Sequence, residues 1–214
     1  MENDWAAENL QTIRTLMERA TLYRHTLVPI MIFAGMLGIS GAIMGLVSEF
    51  RTDQAFVIFW LCVGFVSTAS ALFLVRRQAL KESEPFWTPP VRRIAAALAP
   101  AWIVALFLAV FFLFGGKGNF APIVLPPLWM ILYGISLQAA GFFTPRGIKL
   151  LGWVFLVLGC VYFWAIMSMP AAGLSGMWQY LVMSGHFEMG LFFGGLHLAY
   201  GIYLHFTEKR KNAA

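Results

Sequence analysis

Residues 27–47, LVPIMIFAGMLGISGAIMGLV, run for 21 positions without a charged side chain. A helix needs about 20 apolar residues to cross the hydrocarbon of a bilayer, so this stretch reads as a membrane span. Ala34, Gly38, Gly41 and Gly45 fall within about 60° of arc at 100° per residue. Such a stripe of small side chains lets another helix approach closely, which is how helices gain packing energy in lipid.

The rest of the chain repeats that pattern. Further runs cover 55–75, 94–114, 123–143, 150–169 and 186–206. Each is expected to be helical, because a single segment in hydrocarbon can satisfy its backbone groups only internally. The composition agrees: 60% of the 214 residues are hydrophobic and 12% charged, far from the soluble average of about 25% charged. The predicted fold class is all-α, a polytopic helical bundle of six transmembrane helices spanning 25–214. Its implied surroundings are the lipid bilayer.

Charge placement predicts the orientation. Arg14, Arg19, Arg24, Arg76, Arg77, Lys81, Arg92, Arg93, Arg146, Lys149, Lys209, Arg210 and Lys211 would share one side, leaving Arg51 and Lys117 on the other. Basic residues collect on the cytoplasmic side, so both termini are expected there. The net charge of +5 is accounted for by this flanking pattern and gives no reason to invoke nucleic acid.

Residues 1–24 read as a short amphipathic helix at the cytoplasmic face. Trp5, Leu10, Ile13, Leu16, Met17, Ala20 and Tyr23 share an arc of about 140°. Glu2, Asp4 and Glu8 gather at its start, where the helix dipole favours acids. No cleavage signature follows the first span, which is expected to be retained. The linker at 76–93 carries Pro85, Pro89 and Pro90, which forbid a continuous helix there. The uncharged segment at 170–185 is expected in the outer interface, anchored by Trp178 and Tyr180. Pro126 and Pro127 are expected to kink or delay the fourth span.

Small residues recur on other spans: Gly64, Ser67, Thr68 and Ala71; Ala97, Ala101, Ala105 and Ala109; Gly134 and Gly141 flanking Gln138; Gly190, Gly194 and Gly201. They imply a compact bundle, and their faces are candidate contacts for a second copy or a membrane partner. Cys62 and Cys160 lie inside apolar runs without a CxxC pattern. They are expected to be buried thiols packing as small hydrophobes.

Few residues are candidates for chemistry. His197 falls near the centre of the last span, and an ionisable group at that depth is a functional hypothesis by default. It shares a face with Gly190, Gly194 and Gly201, so its imidazole is expected inside the bundle. A relay, a ligand donor, a haem ligand, or a neutral ring bonded to a neighbouring helix all fit it. Gln138 and Tyr200 are further binding or relay candidates. His186 and Glu188 are the metal candidates at the outer edge, but a straight helix turns them to opposite sides. His186 and His197 share a face yet stand about 16 Å apart at 1.5 Å per residue, too far for one ion. Haem lacks a second histidine at matching depth. The GLSG at Gly173 to Gly176 reads as a flexible turn. No cofactor is predicted.

The segments LQTIRTLMERATLYRH, PIMIFAGMLG and FFGGLHLAYGIYL resemble a group of small six-span bacterial membrane proteins without an assigned activity. That resemblance implies the bacterial cytoplasmic (inner) membrane and carries no catalytic residue. A non-enzymatic membrane protein, an accessory subunit or a binder of a small apolar ligand or lipid, fits the sequence best. A small transporter comes next, with His197, Gln138, Ser67, Thr68 and Ser136 as its candidate path. A haem- or metal-dependent redox protein using His197, or His186 with Glu188, is third.

Overall fold

The structure, a computed structural model, describes residues 26–48, 50, 52–81, 83, 85–115, 120–168 and 184–212. The expected helix at 1–24, the interfacial segment at 170–183 with GLSG, and His25, Glu49, Arg51 and Lys117 lie outside the described residues. Six helices follow one another: α1 (Thr26–Val47), α2 (Asp53–Lys81), α3 (Pro89–Phe114), α4 (Ala121–Ala140), α5 (Arg146–Ser168) and α6 (185–212). The last is built from an α-turn at Gly185–Glu188, a π segment at Met189–Gly194 and an α-helix at Gly195–Asn212.

The outer surface is what lipid requires. Phe65, Phe73, Ile103, Phe107, Leu150, Trp164 and many other large apolar side chains are exposed, an arrangement no water-soluble monomer sustains. Helices α1 to α5 are each long and apolar enough to cross a membrane. The expectation of six equivalent spans therefore holds for five of them. Helix α6 falls short, because π winding interrupts its apolar stretch and its α-helical part ends in the charged run Glu208 to Lys211.

Backbone contact between small residues sets the architecture. A Cβ added to Gly35 would meet the Leu198 backbone nitrogen at 2.5 Å, and one on Gly38 the Gly194 Cα at 2.8 Å. Gly190 lies against Ala42, and Gly201 against Ile32. Numbers fall on α6 as they rise on α1, so the two helices are antiparallel neighbours with their backbones nearly touching. A second antiparallel pair, α4 with α5, uses Gly134 against Gly152 and Leu156, and Gly159 against Ile131. Glycines 152 and 159 carry as much of this packing as the expected Gly134.

Two apolar clusters fill the interior. One joins Ala42, Phe56, Val57, Trp60, Ala109, Ala121, Leu125 and Met189. The other joins Met31, Met130, Leu137, Ile148, Leu151 and Phe155, and Phe193 of α6 packs against both.

Several expectations are corrected. Beyond Trp60 no described residue of α2 is buried, and nothing lies within 4 Å of a Cβ on Gly64. Gly64 thus faces outward, and α2 joins the core through Phe56, Val57 and Trp60 near its start while the rest of the helix flanks it. Cys62 and Cys160 are exposed thiols on the apolar surface, not buried ones. Helix α2 continues through Arg76, Arg77 and Lys81. At 1.5 Å per residue its 29 residues reach about 44 Å, well beyond a hydrocarbon core of about 30 Å. The helix-forming RRQALK and a lysine in the last turn favour that extension. Chain reversal waits for Ser83, at φ 55°, and α3 restarts with Pro89 and Pro90 in its first turn, where their missing N–H groups cost nothing. Helix α4 is not delayed by Pro126 and Pro127 but continues through them, both buried. Pro126 has no N–H to offer the Pro122 carbonyl, and Gly185 packs directly onto that carbonyl oxygen.

Gly38→Val and Gly194→Val are expected to destabilise the protein by about 1–3 kcal/mol or more, through forced separation of α1 and α6. Gly64→Ala should be neutral. Thermal unfolding in detergent, followed by circular dichroism, checks the contrast.

Candidate functional site: two buried imidazoles and Glu188

The α1–α6 contact fixes where the polar side chains of α6 lie. Gly35 and Gly38 sit at the level of Leu198 and Gly194, so His197 is level with the middle of α1. It is 2% exposed. Its Nε2 is 2.8 Å from the Tyr133 hydroxyl of α4, and its Nδ1 is 2.7 Å from the Phe193 carbonyl one turn back. Only one tautomer serves both contacts: Nδ1–H donates to the carbonyl, and Nε2 accepts from the Tyr133 O–H. Phe193, Phe155 and Tyr133 surround the ring, with centroids 4.3 to 5.4 Å away. The lone pair a haem iron would use is already engaged by a hydroxyl. Among the readings open to His197, the geometry is that of a neutral ring tying α6 to α4.

His186 is closed in the same manner at the other end of the π segment. The Trp60 indole N–H of α2 donates to its Nδ1 at 3.1 Å, and its Nε2–H donates to the Phe50 carbonyl at 3.0 Å. Phe56 and Phe59 meet the ring edge-on, with centroids 5.0 and 5.7 Å away. Gly45 of α1 makes the space, because a Cβ there would overlap the imidazole. The glycine stripe on α1 is therefore both a helix contact and a cradle for a ring.

The two imidazoles do not share a face, contrary to the expectation for a straight helix. His186 turns toward α1 and α2, and His197 toward α4 and α5. The π segment supplies the reason. Gly195 N–H reaches back to the Gly190 carbonyl, five residues away, and one extra residue in a turn rotates all that follows by about 100°.

Asp53, in sequence a conceivable metal partner for His186 and Glu188, is 5% exposed and accepts the Ala121 N–H at 2.8 Å. A carboxylate at the N-terminus of α4 satisfies an orphan donor and meets the positive end of the helix dipole. Acids placed just ahead of a span are visible in sequence. That Asp53 serves a helix beginning 68 residues later is not.

The polar candidates at the opposite end are tied into the backbone. Gln138 donates to the Lys149 carbonyl at 2.7 Å, joining α4 to α5. Tyr200 sets its hydroxyl against Gly147, where a Cβ would leave no room, and stacks on Tyr203. Thr68 and Ser136 bond to carbonyls of their own helices, Gly64 and Tyr133. His205 is exposed beside Phe206.

Glu188 differs from all of these. It is 1% exposed, yet among the described residues neither carboxyl oxygen has a hydrogen-bond partner. It lies between the levels of Ala42 and Gly45 on α1, about one turn inside the end of that helix. Tyr162 of α5 faces it within electrostatic reach. The sequence placed this acid at the outer edge; burial by α6 packing brings it inside. His186 engages α2 while Glu188 engages α5, so the two do not converge. Among the described residues no group of three or more His, Cys, Asp or Glu side chains is placed to hold a metal.

A double-mutant cycle of Tyr133→Phe and His197→Leu should give a coupling energy of about 0.6–1.7 kcal/mol, the range of interhelical hydrogen bonds in membranes. Additive losses in unfolding free energy would mean that the 2.8 Å contact contributes nothing. The chain matches no family model, no curated protein and no solved structure, so its function is argued from this geometry.

Proposed function

We propose that the chain is a non-enzymatic membrane protein, an accessory subunit or a binder of a small apolar ligand or lipid. One observation carries the reading: His197, the deepest ionisable group, spends both ring nitrogens on the fold. A catalytic or ligating imidazole must leave one nitrogen for its substrate or metal. His186 is committed in the same way, and the broad apolar faces of α2 and α3 offer surface to lipid or to a membrane partner.

In this reading α6 crosses the bilayer as a sixth span, its π segment included. The antiparallel match of α1 with α6 supports it, since α6 stays level with a crossing helix from Gly45 to Ile32. The basic residues Arg76, Arg77, Arg92, Arg93 and Lys149 mark the cytoplasmic side, where both termini lie. The bacterial inner membrane is the proposed location.

Purified protein should be colourless and metal-free, and native mass spectrometry should detect bound lipid. A Soret band or a stoichiometric metal would overturn the reading. Single cysteines at 80 and 150, in a chain cleared of Cys62 and Cys160, should resist impermeant thiol reagents in intact cells and react after lysis. Labelling in intact cells would reverse the orientation.

A small transporter is the second reading, favoured by one specific feature, the unpartnered carboxyl of Glu188.

A further inference from the structure

Among the described residues, both imidazoles of the α6 interior are answered within the fold, whereas both carboxyl oxygens of the buried Glu188 lack a hydrogen-bond partner. An ionised carboxylate without a partner in an apolar interior costs several kcal/mol, which a bound proton or cation removes. Among the described residues, no charged side chain faces Glu188. Helix α1 presents Ala42 and Gly45 at this level, α5 presents the Tyr162 hydroxyl, and on α6 itself His186 turns away toward Trp60. Phe192 closes the α5 side by packing on the Tyr162 ring, 5.5 Å between centroids.

The position is also a built one. Glu188 is the last residue before the π segment, and π-bulges are costly windings that recur at functional sites. In the α-turn just before it, the two-residue spacing aims Glu188 and His186 at different helices, and Gly185 and Gly190 allow the approach of α4 and α1.

We propose that Glu188 is a reversible proton-binding site, a carboxylic acid enclosed by α1, α5 and α6 one turn inside the membrane. Its ligand is a proton, held on a carboxyl oxygen with the Tyr162 hydroxyl beside it and released to the nearer aqueous phase when the site opens. The proposal depends on neither functional reading above: an accessory subunit can hold a proton, and a transporter can couple to one.

The test uses dicyclohexylcarbodiimide, which enters apolar interiors and reacts with protonated carboxyls. On the full-length protein in lipid vesicles, peptide mass spectrometry should find its adduct on Glu188 and find none there in Glu188→Gln. Labelling should slow about tenfold per pH unit once the group ionises, and a water-soluble carbodiimide should react far more slowly. Infrared spectra at neutral pH should show a protonated-carboxyl C=O band that Glu188→Gln removes. An unlabelled Glu188 in the folded protein would overturn the proposal, as would equal reactivity with the water-soluble reagent. Protection by sodium ions at constant pH would also overturn it, by reassigning the site to a metal cation. Because Glu188→Gln is nearly isosteric, unchanged thermal stability together with loss of both signals separates proton binding from a structural role.

Discussion

The close backbone approach of α1 and α6, glycine against glycine where Gly38 meets Gly194, is the constraint on which the other features depend. In hydrocarbon there is no hydrophobic drive to bring helices together, so contact must come from dispersion between surfaces that fit. Small residues bring the backbones of α1 and α6 into contact from Ile32 to Gly45. That contact holds His197 level with Tyr133, presses His186 into the space above Gly45, and encloses Glu188. Widening it by one methyl group would shift all three.

With that frame in place, the histidines look less like reagents than like joints. Each lies among aromatic rings and spends one nitrogen on a backbone carbonyl and the other on a side chain from a different helix. A polar group in an apolar interior is costly when unpaired and specific when paired. The two imidazoles therefore fix which helices neighbour α6 and at what rotation. The Asp53 cap on α4 and the Gln138 bond to α5 add the same kind of definition at the two ends of the bundle. Against that background Glu188 stands out, since among the described residues both of its carboxyl oxygens are buried without a partner.

The π segment connects these observations. Without it, His186 and His197 would point the same way, and one wall of the bundle would hold both. With it, the imidazole of the first turn of α6 serves α1 and α2 while that of His197 serves α4 and α5. The same winding shortens the uninterrupted α-helix, while His186, Glu188, His197 and the charged end at Glu208 to Lys211 make α6 less apolar than the other five.

Much of this was written in the sequence. The uncharged run from Leu27 to Val47, and its counterparts, dictate helices in lipid, because composition and length alone decide solubility in hydrocarbon. The glycines of α1 and α6 announced a close contact, and His197 announced itself as buried. Tertiary structure decided the rest. Periodicity assumes a straight α-helix, so it could not foresee the rotation imposed by the π segment or the separation of the two imidazoles. A small-residue face shows that approach is allowed, not that it happens, and so the stripe beginning at Gly64 was indistinguishable from the one at Gly38. The pairings of His197 with Tyr133, His186 with Trp60 and Asp53 with Ala121 join residues 64 to 126 positions apart. Only the packed bundle brings them within hydrogen-bonding distance, and only there does Glu188 become a buried acid.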